Sequence, residues 1–180
     1  MFSKRFIGVL LYNFLSNSGL ILKEDLEFLI DKSSRYIPKT VDKIKSILNS
    51  ISRRKTASIF PELISLCESI YLETGKSSVV IFDEFHNLEL LGFKNLYKDW
   101  SKVLISNKNT MFIIVSSLKC RAKDILSKGL SLLFGNFEVI TIEPFDIKTS
   151  LEYLDIRLKA VNIPLPLKNF IVHFTGGYPM

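Results

Sequence analysis

At Ser78 the sequence changes its period. Upstream, apolar residues recur at three- and four-residue steps; then Ser78-Val79-Val80-Ile81-Phe82 runs unbroken between a Gly75-Lys76 turn and two acids, Asp83-Glu84. A run this short and this rich in β-branched residues predicts a strand buried on both faces of a parallel sheet. Met111 to Val115 repeats the pattern and ends in Ser116-Ser117, and Val139 to Ile142 reads as a third strand. Helical spacing separates them: Leu96, Trp100, Val103 and Leu104 in the first gap, Ile125 to Leu133 in the second. Strands alternating with helices predict an α/β fold, a parallel sheet with right-handed crossovers and helices on its faces.

The first 75 residues read as helices. Phe2, Phe6, Val9, Leu10 and Phe14 form one stripe, with Gly19 as its stop, and Leu22, Leu26, Leu29 and Ile30 form a second. Pro38 punctuates the chain. Thr40 is then the expected cap of a helix carrying Val41, Ile44, Ile47, Leu48 and Ile51. Ser58 and Pro61 open a fourth helix with Leu63, Leu66, Cys67, Ile70 and Tyr71 on one side, and Gly75 closes it. After Pro144-Phe145, Asp146 can cap a helix with Leu151, Leu154, Leu158 and Val161 inward. A turn at Pro164 and Pro166, a short helix and Thr175-Gly176-Gly177-Tyr178-Pro179 follow. Residues 1–145 are therefore expected to form an α/β core and residues 146–180 the start of a small helical lid.

Composition narrows the function classes. With 180 residues, 47% hydrophobic and 23% charged, the chain has the makeup of one globular domain with a small appendage. Cys67 and Cys120 sit in apolar surroundings with no CxxC or Cys/His grouping, so buried thiols in a reducing, cytoplasmic setting are expected. His86 and His173 have no ligand spacing, which argues against zinc. The apolar stretch from Phe6 to Leu15, behind a basic start, imitates a signal peptide. It is too short to span a bilayer and is interrupted by Tyr12 and Asn13, so an amphipathic helix and no membrane association are expected. The net charge of +6 and the run Arg53-Arg54-Lys55 are compatible with nucleic acid, but no aromatic residues interleave with them as a single-strand platform requires.

The chemistry lies where the strands end. An apolar strand that delivers two consecutive carboxylates at its C-terminal end suits nucleotide hydrolysis. Asp83 can hold magnesium through its water shell, and Glu84 can orient or deprotonate the water that attacks a γ-phosphate. Open parallel sheets place ligands at the carboxyl ends of their strands, so location and chemistry agree. The plainer alternative is that the acids begin a loop or cap the next helix, and that Ser116 and Ser117 do the same.

The segments "VVIFDEFHNL", "MFIIVSS", "ITIEPFD" and "FTGGYP", in this order, resemble the Walker B, sensor, Pro-Phe and Gly-Gly-x-Pro elements of the archaeal-type ATPases, AAA+-related members of the STAND group. The resemblance runs from about residue 58 to the end, with weaker support from the helix at 2–15. It implies a partial P-loop NTPase sheet flanked by helices and followed by a helical lid, with ATP and Mg2+ as cofactors. It also implies Asp83 as the metal carboxylate, Glu84 as the catalytic acid, and Ser116, seconded by Ser117, as the sensor. Gly176, Gly177 and Pro179 would form a hinge against the adenine.

Two departures qualify the resemblance. A Walker A loop needs G-x-x-x-x-G-K-[ST], but Gly75-Lys76-Ser77 has Ile70 where the first glycine belongs and sits just before the acid-bearing strand, so it reads as a helix-ending turn. The family's loop would precede residues 2–15, and a winged-helix domain would follow Met180. The family's arginine in the stretch after the sensor has no counterpart in Leu133-Phe134-Gly135-Asn136. The nearest candidate, Arg121, reads better as a solvated helix-start residue. The expected function is thus an ATP-binding STAND-like domain that is inactive by itself. The alternatives are a DExH-type helicase lobe, from Asp83-Glu84-Phe85-His86, and a non-catalytic module that binds a protein partner or self-associates.

Overall fold

The computed structural model describes residues 2–16, 23–53, 59–93, 95–130 and 137–178. Four helices open the chain: α1 (Phe2–Ser16), α2 (Leu26–Ser33), α3 (Pro38–Ser52) and α4 (Ile59–Thr74). Strand β1 (Ser78–Phe82), a 3-10 helix (Phe85–Leu91), α5 (Leu96–Ser106) and β2 (Thr110–Ile114) follow. A short α6 (Lys119–Asp124) runs into a π-helical turn, and α7 (Ile147–Arg157) and α8 (Leu165–Thr175) complete the order. The chain divides into two compact units, Met1–Phe137 and Glu138–Met180. Among the described residues no helix is long and apolar enough to cross a membrane.

This architecture corrects the expected α/β class. Among the described residues helix dominates, and the sheet has two strands, β1 paired parallel to β2 with Phe82 opposite Ile114, instead of a P-loop NTPase sheet flanked by helices. Residues 139–142 form no strand, and Val139, Ile140 and Ile142 are each more than two-thirds exposed. Nor are β1 and β2 buried on both faces. Val80, Phe82, Thr110, Phe112 and Ile114 turn inward, while Val79, Ile81, Met111 and Val115 lie open on the other face. A strand's side chains alternate between faces, so an all-apolar run can leave one apolar face uncovered.

Helix α4 buries eight of its sixteen residues, and it divides the core of the first unit in two. Ile59, Leu63, Leu66 and Ile70 pack with Ile7, Leu11 and Leu15 of α1, Leu29 of α2 and Val41, Ile44 and Ile47 of α3. Phe60 and Ile64 look the other way, into a cluster with Phe82, Phe85, Leu88, Leu96, Trp100, Ile125 and Leu130. The α1 stripe is therefore shifted from expectation: Ile7, Leu11 and Leu15 are fully buried, and Val9 is exposed. Cys67 lies in the buried α4, where burial pushes its thiol up to about 11, so it is inert. Cys120 is exposed, contrary to expectation.

Polar contacts join α3 to α4. Pro38 opens α3 behind Ile37, which offers no side-chain cap, so Thr40 is inside the helix and not its cap. The missing cap comes from another helix. Glu73 of α4 accepts the Lys39 amide at 2.9 Å, the Thr40 amide at 2.7 Å and the Thr40 hydroxyl at 2.6 Å. A carboxylate at a helix N-terminus satisfies orphan donors and complements the macrodipole.

In the second unit, Asp146 caps α7 as expected, its carboxylate accepting the Thr149 amide at 2.7 Å. The expected inward face is only partly realised, since Leu151, Leu154 and Leu158 are half-buried and Val161 is exposed. Gly176 and Gly177 end α8 with φ of 61° and 81°. Gly177 backs onto Phe145: its carbonyl accepts the Phe145 amide at 2.9 Å, and a Cβ there would meet the Phe145 oxygen at 2.4 Å.

Burial by itself would raise the Glu73 carboxyl, but the Thr40 hydroxyl and then the Lys39 and Thr40 amides overcome it and hold it below the usual carboxylate range. A carboxyl depressed in the folded state binds fewer protons there than in the unfolded chain. Its contribution is complete above the unfolded value, about 4.3, and is lost as pH falls through the folded value. Glu73→Gln is expected to cost about 1–2 kcal/mol at pH 7 by urea denaturation. It should also flatten the loss of stability below about pH 5. An unchanged acid limb would show that Glu73 is not the cap.

Candidate functional site

The end of β1 is fixed by aromatic packing. The Phe82 ring lies edge-on to Trp100 at 5.1 Å, stacks on Phe6 at 6.5 Å and contacts Phe60 at 6.4 Å. Phe85 is fully buried as well. Between these two anchors the chain must turn, and the residues left at the surface are Asp83 and Glu84. Glu84 takes the left-handed conformation, φ 47° and ψ 48°, which is uncommon for a residue with a long side chain.

Strand register brings the second motif alongside. Phe82 pairs with Ile114, and the ladder continues past the strands. The Val115 amide donates to the Phe82 carbonyl at 2.9 Å, and the Phe85 amide donates to the Val115 carbonyl at 3.0 Å. Ser116 and Ser117 are thereby held beside Glu84 and His86, although some thirty residues separate them in sequence. The Glu84 carboxylate accepts the Ser117 amide at 3.0 Å, and its Oε2 lies 3.3 Å from His86 Nδ1. The same Nδ1 lies 2.9 Å from Ser116 Oγ, which also accepts the Leu118 amide at 3.1 Å. Ser117, through its hydroxyl and its amide, holds the Glu84 carboxyl below its usual range, with a small further push from His86. Glu84 is therefore an ionised acceptor at neutral pH.

Of the expected site residues, four come together: Asp83, Glu84, Ser116 and Ser117. His86, whose only expected role was as the histidine of the DExH alternative, touches both motifs. The signal was present in its position two residues after Glu84, on the first turn of the 3-10 helix. Gly176 and Gly177 belong to the second unit, where they form the left-handed end of α8, and Pro179 lies outside the described residues. Arg121 is engaged in ion pairs with Glu89 and with Asp124 at 3.3 Å, which is the surface role expected of it. Leu133-Phe134-Gly135-Asn136 lies outside the described residues.

The geometry forms no nucleophilic triad. Serine and carboxylate meet the same ring nitrogen of His86, whereas a relay needs one on each nitrogen. Among the described residues no group of three or more His, Cys, Asp or Glu is placed to hold a metal directly. Magnesium carried through its water shell needs fewer protein ligands. Asp83 suits that arrangement, being exposed, with Oδ1 accepting the Glu84 amide at 2.9 Å. Phosphates find no cradle in Gly75-Lys76-Ser77. Gly75 has φ 70° and its amide bonds the Tyr71 carbonyl at 2.7 Å, so it ends α4, at the opposite end of β1 from Asp83.

The left-handed backbone at Glu84 can be isolated from its carboxylate. Glu84→Gly and Glu84→Ala both remove the bond to Ser117, but only alanine retains the steric cost of positive φ. The glycine variant is expected to be the more stable of the two by about 1 kcal/mol in urea unfolding. Equal stabilities would mean that the turn relaxes without strain. No protein-family model, no curated protein and no solved structure matches the chain.

Proposed function

We propose that the end of the β1–β2 ladder is the acid-and-hydroxyl half of an ATP-hydrolysing site of the STAND kind. The observation that carries the reading is the pairing of two parallel strands whose C-terminal ends bring a carboxylate pair against a serine pair, with Glu84 bonded to the Ser117 amide at 3.0 Å. In this reading Asp83 holds magnesium through water, Glu84 orients the attacking water, and Ser116 contacts the γ-phosphate, with Ser117 beside it. Magnesium supplies charge neutralisation at the phosphate oxygens when bound. The chain itself supplies the fixed position of the carboxylates. It does not supply a glycine-rich phosphate grip, because no G-x-x-x-x-G-K-[ST] occurs in the 180 residues.

Mn2+ serves as a paramagnetic stand-in for magnesium. Added with ATP, it is expected to broaden the amide resonances of residues 83–86 and 116–118 first, and Asp83→Asn should abolish that broadening. Broadening spread over the surface, or unaffected by Asp83→Asn, would sink the reading. Without the phosphate grip, turnover by the chain alone is expected to be undetectable. ATPase activity that fell by about a hundredfold or more in Glu84→Gln would show that some other part of this chain supplies the grip.

A second reading, a module that binds protein or a second copy of itself, is favoured by one observation. Val79 is 61% exposed, and Ile81 and Met111 are each 62% exposed, on the open face of the sheet. Contiguous apolar surface of this kind marks interaction sites. If that face drives association, Ile81→Lys is expected to lower the apparent mass in concentration-dependent light scattering without changing the unfolding midpoint. Identical masses for the two proteins across the concentration range would exclude it.

A further inference from the structure

His86 makes its contacts with one nitrogen, and that restricts where its proton can be. The side chain is 12% exposed, and Nδ1 faces Ser116 Oγ at 2.9 Å and Glu84 Oε2 at 3.3 Å. An ionised carboxylate offers only lone pairs. A bare Nδ1 would set its own lone pair against the Glu84 oxygen, whereas a proton there turns repulsion into attraction. The neutral ring is therefore the Nδ1–H tautomer, its hydrogen shared between the serine and the carboxylate.

The consequence falls on Ser116. Its oxygen then accepts from His86 Nδ1–H and from the Leu118 amide at 3.1 Å, which occupies both of its lone pairs. Its one hydroxyl proton meets no acceptor among the described residues. A serine in that state can only donate. We propose that His86 is a positioning residue that ties Glu84 to Ser116 and turns the Ser116 hydroxyl proton outward, so that the strand end recognises an acceptor such as a phosphate oxygen. This deepens the nucleotide reading and rests on it for the identity of the ligand. The tautomer itself depends only on the distances within the chain.

The test begins on the ligand-free chain. Long-range proton–nitrogen correlation spectra of the 15N-labelled protein distinguish the two neutral tautomers, and the chain has only two histidines. His173 is an internal reference, because its Nδ1 lies 2.7 Å from the Asn169 carbonyl, which can only accept. Both rings are expected as Nδ1–H. A His86 ring protonated at Nε2 alone would overturn the proposal.

Inorganic phosphate with magnesium then probes the hydroxyl, read from amide shifts at residues 116–118. His86→Ala is expected to weaken that binding about tenfold, the cost of one misdirected hydrogen bond. His86→Asn, which places an amide N–H near the position of Nδ1, should restore most of it. Equal binding in all three proteins, or no phosphate response in the unmodified chain, would overturn the assignment of Ser116 as a phosphate donor. These outcomes are separable from failure of the nucleotide reading. Broadening by Mn2+ that requires Asp83 would survive an Nε2–H tautomer, and an Nδ1–H tautomer would survive the absence of such broadening.

Discussion

Helix α4 packs into two hydrophobic clusters at once, and the architecture of the first unit follows from that. An amphipathic helix with one apolar stripe needs one apolar partner surface; a helix whose apolar residues face two ways needs two. Ile59, Leu63, Leu66 and Ile70 take the three N-terminal helices as one partner, and Phe60 and Ile64 take the sheet and α5 as the other. Three polar groups on α4 find fixed partners as well. The Ile64 carbonyl accepts the Asn107 amide group at 3.3 Å, Glu68 accepts that of Asn109 at 2.8 Å, and the Lys43 ammonium donates to Ser69 at 2.7 Å. The two asparagine bonds hold the loop entering β2, and hence the strand that leads to the serines, against the same helix whose Phe60 contacts Phe82.

The candidate site is a by-product of that packing. Phe82 and Phe85 are drawn into the aromatic cluster around Trp100, worth about 1.5–3 kcal/mol each in burial. That commitment forces the two residues between them outward and into a turn. The acids are thus positioned by the apolar residues on either side, and the serines by the parallel register. Glu84 accepts the left-handed backbone in exchange for a bond to the Ser117 amide. Non-glycine residues held in such conformations concentrate where surrounding packing over-determines them, and functional sites are among those places.

The sheet was the least legible part of the sequence. Val79 to Phe82 and Met111 to Ile114 are apolar at successive positions, which is how strands covered on both sides read. Periodicity reports what a residue tolerates, and an exposed valine is tolerated where nothing packs on it. Val139 to Ile142 has the same composition and no partner strand among the described residues, so β-propensity without a neighbour produced no strand. Cys120 illustrates the same limit, since apolar neighbours in sequence did not place it in the core. Thr40 shows another. Its type suits a helix cap, but Pro38 started the helix two residues earlier and a carboxylate 33 positions away took over the cap.

What the sequence determined by itself was local. It specified the periodic helices, the boundaries at Pro38, Gly75, Pro164 and Gly176, the Asp146 cap, the two short strands and the four polar residues at the strand ends, while the expected Gly19 stop and Ser58 start lie outside the described residues. Each depends on near neighbours, because helical spacing, fixed proline φ and glycine's left-handed freedom act within a few residues. Tertiary structure alone decided which faces were covered, and therefore how many strands a sheet could recruit and which stripe of α1 was buried. It alone brought Ser116 to His86 across thirty residues, since parallel register is set by packing on α4 and by no property of either strand in isolation.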